Sequence, residues 1–448
     1  VDWTECIART SVMSGLWSDG AVWDQGVAPT FCSPVVVAAG HTVTVDVLTA
    51  VSSAAVINGV LRASRVAASS WTLVMGDLSV ESGGTLDYGS EADPIPTAYN
   101  AHLVLSSGTF AARYGLTVRN GGNFSVRGAT KTPYAFATQS ITTAQTSLTV
   151  YGSTSTDGWQ AGDMITIGPT TGNGTATTSS RTISSIAGGP LYTISWAGGT
   201  LPAARVFAAT SPIIVANLTR NALVRSSGTI VAGTNANSAY IRNLVSNATS
   251  FALAHGEFAY LGANVAAKYG IVFDGAGTRG SVSSSTVRNG YDGIQLNSSS
   301  NNDISGNNIY ANTDIGLYLI TASGNDVTGN NSYANVLRGC HVAFGEKNVF
   351  SGNNFHSNAG AGLSNGSSNT NAFAANNSYS NSGYGYDIQN AAYNTFEGND
   401  AYANSASGFY LLNSANNTLA GNGSYANTDY GVYLDLTFIP REELDKKL

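Results

Sequence analysis

The stretch "GNNIYANTDIGLYL" at 306–319 returns almost unchanged as "GNGSYANTDYGVYL" at 421–434, 115 residues later. That interval is five periods of a shorter repeat. Gly270, Gly293, Gly316, Gly339, Gly362, Gly385, Gly408 and Gly431 stand 23 residues apart, each followed by an apolar residue. Most open a G-h-x-h phrase such as "GIVF", "GLYL" or "GFYL"; "GLSN" alone breaks the second apolar position. Self-similarity at a fixed period of 20–50 residues is the signature of a solenoid.

Other positions keep the same beat. Nine residues after the glycines come Asn302, Asn325, Asn348, Asn371, Asn394 and Asn417, with Arg279 in the first repeat. A second series runs Asn307, Asn330, Asn353, Asn376, Asn399 and Asn422, and a third Asn289, Asn312, Asn335, Asn358, Asn381, Asn404 and Asn427. No segment carries ten or more residues at a 3.6 period, and leucine-rich runs are missing. Three brief strands per turn, broken at Gly/Asn corners, predict an all-β, right-handed parallel β-helix with 23-residue coils. Asn suits such corners because it tolerates the left-handed conformation and its amide can bond the Asn above and below.

Upstream the period blurs into alternating strands such as "HTVTVDV" and "GDMITIG". The expected division is a β-rich N-terminal domain at 1–130, a β insertion at 131–210, the β-helix at 211–436 and a charged tail at 437–448. Pro440 and the spacing of Leu444 and Leu448 make that tail a cap helix, a linker or a foreign scar.

Composition narrows the function. The 448 residues are 43% apolar and only 10% charged, with a net charge of −7. No Lys/Arg cluster suited to phosphates occurs, so no nucleic-acid partner is expected. No apolar run is long enough for membrane insertion. No leader precedes Val1, which fits a cytosolic chain or the mature form of an exported one. Sparse charge and abundant hydroxyl and amide side chains favour a secreted or cell-surface protein. Cys6 and Cys32 can pair as a disulfide, leaving Cys340 as a buried thiol.

The N-terminal stretch "GLWSDGAVWDQGVAPTFCSPVVVAAGHTVTVD" (15–46) resembles the start of the eight-glycine domain. "WQAGDMITIG" (159–168), "SPIIVANLTRNALV" (211–224) and "HGEFAYLG" (255–262) are similar to the segments that follow in the family of the cell-migration-inducing hyaluronan-binding protein and cell-surface hyaluronidase. The resemblance implies an eight-glycine-like domain joined to a parallel β-helix. Where that family carries "RYPIHFH", this chain reads "KYGIVFD" (268–274), with Val272 and Asp274 in place of two imidazoles and Lys268 in place of the arginine.

Polysaccharide cleavage needs positioned acid and base groups. The densest ionisable stretch of the coils supplies the catalytic candidates His255, Glu257, Asp274 and Asp292, with Lys268 and Arg288 among them; solvated rim charges are the plainer reading. Asp303 and Asp326 share a place in adjacent coils, where stacked carboxylates could hold Ca²⁺ or simply splay apart. Asp314 and Arg338 nearly stack, as a surface ion pair would. Seventeen residues past the glycines stand Tyr310, Tyr333, His356, Tyr379, Tyr402 and Tyr425. If Ile309 and its equivalents point inward, the tyrosines point outward and can meet sugars, or they stiffen the rod. The sequence therefore reads as an exported, non-catalytic, glycan-binding, adhesive or structural rod. The alternatives are a polysaccharide depolymerase, hydrolase or lyase, and a self-associating subunit of a filament or sheath.

Overall fold

The computed structural model describes residues 6–109, 113–132, 134–151, 158–168, 179–207, 213–217 and 219–435. The 437–448 tail lies outside them. The chain forms two units, one of residues 1–127 and 222–448, the other of 128–221.

In the first unit three parallel sheets of 14, 13 and 12 strands carry every strand of the coils. Each regular turn lays one strand in each sheet. Leu317–Ile320 joins the first sheet, Asp326–Thr328 the second and Asn331–Tyr333 the third. Cα partners in the first sheet are 23 residues apart, Ile294 facing Leu317 and Leu317 facing Cys340. Among the described residues the one helical turn of this unit is a 3-10 segment, Gly20–Val22.

The expected boundary near 130 between a cap and the coils is not one in the sheets. Arg9–Thr10 already opens the first sheet, and Gly115–Val118 pairs directly with Tyr240–Asn243. The N-terminal region supplies the first coils of the same solenoid. Paired residues along the first sheet stand 26, 20, 23, 38, 125 and 30 positions apart before the spacing settles at 23. A coil needs only to set each strand on the one below, so corners of unequal length are tolerated and the periodicity disappears from the sequence.

The core is the inward face of each strand. Leu317, Leu319, Val327 and Phe355 are fully buried, and Phe350, Phe373 and Phe396 stack at 4.9 and 4.6 Å. Cys340 is buried among them, and burial pushes its thiol upward, as an inert core cysteine requires. The N-terminal coils close over Trp17, Trp23 and Trp71, whose rings meet at 5.1 and 5.5 Å. Nearby, Cys6 and Cys32 form the expected disulfide.

Three asparagine columns line the corners. Asn353 shows the pattern: its Nδ2 donates to Val327 O at 2.8 Å and to Asn376 Oδ1 at 2.8 Å, while its Oδ1 accepts from Asn330 N and Nδ2. Each buried amide thus closes the turn beneath and hands one acceptor to the next. The columns correct the alignment of the first repeat. Gly290 N, not Asn289, donates to Asn312 Oδ1, and Asn289 is the left-handed corner residue at φ +56°. Asp303 N likewise bonds Gly280 O, so Gly280 rather than Arg279 precedes Asn302. The second and third sheets step by 22 residues there (Ser281 to Asp303, Thr286 to Asn308), a slip invisible in the glycine spacing.

The second unit replaces a corner. In the later coils the chain passes from second to third sheet through a residue or two, as at His255 between Phe251–Ala254 and Gly256–Ala259, while the N-terminal coils use longer corners, such as 89–100 between Thr85–Tyr88 and Ala101–Leu105. In one coil, 128–221 fills that gap, between Asn123–Arg127 and Ala222–Ser226. This region, expected as a β insertion, folds as a six-stranded antiparallel sheet around Ile165, Val215 and Trp196. Ala129 N donates to Asn221 Oδ1 at 2.7 Å, holding its two ends together. Inside it, Lys131 meets Asp163 at 2.6 Å, and Asn217 caps the other carboxylate oxygen at 2.8 Å.

Candidate functional site

The outer face of the first sheet gathers the ionisable and aromatic groups. In a G-h-x-h strand the residues one and three past the glycine point inward, so the residue two past it points out. Tyr318, His341, Ser364, Asp387, Tyr410 and Tyr433 stand there, in register from coil to coil. The turn before each glycine adds Tyr269, Tyr291, Asp292, Asp314 and Arg338.

Asp292 is 2% exposed, and its Oδ1 accepts from Ile315 N at 3.2 Å. Burial first and the Asp314 charge second hold its carboxyl well above the usual range; the Ile315 N–H offsets only part. Asp314 is also raised by burial, but the Tyr291 hydroxyl directed at it and the Arg338 charge work against that rise. The two carboxyls differ in how firmly they keep a proton, the arrangement from which acid and base roles arise. No ion pair closes between Asp314 and Arg338, contrary to the expected surface pair; the guanidinium acts on Asp314 at longer range. The Tyr269 and Tyr291 rings are 6.1 Å apart, and Tyr318 lies 5.2 Å from His341. Burial and Arg338 lower the His341 imidazole to about 4, so it is neutral at pH 7, and its buried Nδ1 has no hydrogen-bond partner.

The same face carries a second cluster. Tyr384 stacks on Tyr410 at 4.4 Å, Tyr410 on Tyr433 at 5.6 Å, and Asp429, Tyr430 and Asp435 complete a cleft of about 300 Å³. Between the two, Asp387 accepts from Gln389 Nε2 at 2.8 Å and from Ser364 Oγ at 3.3 Å. Tyr384, Asp429 and Tyr433 stand 115 residues after Tyr269, Asp314 and Tyr318. The repeated phrase therefore duplicates side chains of this face as well as the coil.

The candidates from sequence are dispersed. Glu257 lies on the third sheet, 2.6 Å from Arg288, whose Nε also reaches it at 2.9 Å. His255 is the corner residue just before, at φ +51°. Asp274 ends a first-sheet strand and is held by Arg242 at 2.5 Å and Asn297 at 2.8 Å. Of the four, Asp292 alone sits in the first-sheet cluster. Asp303 and Asp326 are direct partners on the second sheet and both exposed; Val349 follows, so the column adds no third carboxylate.

Tyr310, Tyr333, His356, Tyr379, Tyr402 and Tyr425 do point outward from the third sheet, with Ile309, Phe355 and Ala401 buried beneath. Their rings stack face to face at 4.7–5.0 Å with interplanar angles of 12° or less. Tyr260, flanked by Arg225 at 5.1 Å and Arg288 at 5.6 Å, precedes them on the neighbouring corner. Each ring spends its faces on its neighbours and offers solvent its edge, leaving Tyr425, 54% exposed at the end, to present an open ring. Sequence reasoning passed over Tyr269, Tyr291, Tyr318, Tyr410 and Tyr433. For Tyr318, Tyr410 and Tyr433 the signal was present in the outward position two residues past each glycine.

Residues 22–138 match the G8 domain, 210–382 the periplasmic copper-binding protein (NosD) family, and 369–440 the right-handed β-helix region. The chain thus combines a G8 domain with right-handed β-helix regions, as expected. No curated protein sequence matches it. Among solved structures it is similar to the A-module of the Azotobacter vinelandii mannuronan C-5 epimerase AlgE4, at 11% identity over 84% of this chain and 89% of that one, with a TM-score of 0.39. It is also similar to the periplasmic alginate epimerase AlgG (12%, 85% and 77%, 0.32) and to the Dettilon tailspike protein (10%, 89% and 62%, 0.36).

Proposed function

From a chain that carries a G8 domain and right-handed β-helix regions, we propose that the solenoid binds an extended polysaccharide along the outer face of its first sheet. The observation that carries this reading is the duplication of Tyr269, Asp314 and Tyr318 as Tyr384, Asp429 and Tyr433 on one face, five coils apart. At roughly 4.8 Å per coil the two sets lie about 24 Å from each other, a span suited to an oligosaccharide and too long for a single sugar. Phenol rings offer apolar faces to sugar rings, while carboxylates and hydroxyls take the hydroxyl hydrogen bonds. The tyrosine ladder of the third sheet supports binding less well, because its ring faces are covered; its stacking stiffens the coils. The protein works outside the cytoplasm in this reading, which the Cys6–Cys32 disulfide and the match to a periplasmic family support.

Affinity electrophoresis through gels containing hyaluronan, alginate, polygalacturonate or a neutral glucan tests the assignment. Retardation by at least one polymer is expected, with Tyr318→Ala and Tyr433→Ala each weakening it about tenfold. Loss of retardation in Tyr379→Ala and Tyr402→Ala, with the first-sheet variants unaffected, would move the surface to the third sheet.

A further inference from the structure

We infer that the inserted 128–221 unit closes itself with an amide bond between the side chains of Lys131 and Asn217, formed through Asp163. Lys131 Nζ lies 2.6 Å from Asp163 Oδ1, and Asn217 Nδ2 donates to Asp163 Oδ2 at 2.8 Å. One carboxylate thus touches both the amine and the amide. The Lys131 side chain is 0% exposed and that of Asp163 2%, and Asn217 is fully buried.

The topology brings the three together where the chain enters and leaves the unit. Strand Met164–Ile167 sets Ile165 opposite Asn217, the last residue of Ile214–Asn217, and Asp163 stands two before Ile165 on the same buried face. Strand Tyr134–Phe136, three residues past Lys131, runs along the other edge of Ile214–Asn217, with Tyr134 facing Ala216. The segments that carry Lys131 and Asp163 therefore flank Asn217 on its two sides.

Two further contacts suit the site to a reaction. Gln160 N donates to Asp163 Oδ2 at 3.1 Å and fixes the carboxylate between its partners. Thr219 N donates to Asn217 Oδ1 at 3.0 Å, where negative charge gathers when a nucleophile adds to the amide carbon. A buried ion pair kept for stability alone has to repay the desolvation of two charges. Passing one proton from Lys131 to Asp163 across their contact removes both charges and leaves an uncharged amine, the nucleophilic form of lysine.

In the step proposed, that amine's lone pair bonds Cγ of Asn217, and the charge on Oδ1 rests against the Thr219 N–H. Asp163 gives the proton it holds to Nδ2, and the bond from Cγ to Nδ2 breaks. It then takes a second proton from Nζ as the new amide forms. Ammonia leaves with that proton as ammonium, so Asp163 ends as the carboxylate it began as. The bond ties the entry of the unit to its exit, beside the hydrogen bond from Ala129 N to Asn221 Oδ1.

Tandem mass spectrometry of the full chain, reduced and digested with trypsin, tests this. Peptide 128–181, uncleaved after Lys131, should appear joined to peptide 206–220, with the mass of one ammonia missing. Lys131→Arg keeps a cation but loses the nucleophile, and Asp163→Asn removes the proton carrier; both should give the separate peptides at full mass. Native digestion within 128–221 should be about tenfold faster in both variants. Should neither variant fold, the wild-type spectrum decides alone. Separate wild-type peptides at full mass would overturn the inference. So would loss of ammonia without the joined peptide, which marks ring closure at Asn217 by itself. Loss of water within 128–181, which marks a bond from Lys131 to Asp163, would overturn it as well.

Discussion

At the scale of single residues, the asparagine columns and the lone imidazole of the third-sheet ladder make the sharpest predictions. Asn353 is fully buried and takes part in five hydrogen bonds of its side chain and backbone amide. Asn353→Ala strands Val327 O and the Asn330 donors in the interior, so it should cost about 3 kcal/mol, read as a lowered midpoint in urea with an unchanged slope. His356 lies between Tyr333 at 4.9 Å and Tyr379 at 4.7 Å, and burial lowers its imidazole to about 4 from 6.5. Its neutral form therefore contributes stability that is complete above pH 6.5 and lost as the pH falls through about 4. His356→Tyr, which restores the ring found in the neighbouring coils, should remove roughly 2 kcal/mol of acid destabilisation across that window. Equal melting-temperature losses in wild type and variant between pH 7 and pH 4 would sink this account.

At the scale of the coil, two kinds of glycine must be told apart. A Cβ on Gly339 would sit 2.7 Å from Asn358 Nδ2 and from Gly362 O, inside the corner where the chain closes on the next turn. Gly339→Ala should cost about 2–3 kcal/mol in a thermal melt, since the neighbours are a ladder amide and backbone. Gly352 instead sits at φ +63° with nothing within 4 Å, and Ala375 holds the same corner one coil on at φ +52°. Gly352→Ala should therefore cost only about 1 kcal/mol, the price of a left-handed alanine. Similar losses for the two variants would mean that space around the 23-residue glycine is not what fixes it.

At the scale of the whole molecule, the 128–221 unit has its own core and is inserted in the chain between Asn123–Arg127 and Ala222–Ser226. Replacing 130–220 by a short Gly/Ser linker should leave the remaining unit folding as one cooperative system, with its melting temperature within a few degrees of the full chain. Loss of the cooperative transition would show that the coils around Asn123–Arg127 and Ala222–Ser226 depend on the inserted sheet.

The sequence by itself determined the coil. A fixed 23-residue beat of glycine, apolar pairs and asparagine is enough, because stacked strands place equal residues at equal heights and any other fold would scatter them. Which side of the third sheet the tyrosines face depended on strand register, and the burial of Ile309, Phe355 and Ala401 decides it. Only the tertiary structure decided that those rings cover one another, that Glu257 and Asp274 are already engaged with arginines, and that residues 9–127 belong to the same solenoid. The reason is physical: a repeat fixes direction in or out, but approach between side chains on adjacent coils depends on rotamers and on slips such as the 22-residue step after Ser281. Asp292 and Asp314 are diagonal neighbours, because the 23-residue register at that corner sets Tyr291 beside Asp314 and Asp292 beside Ile315.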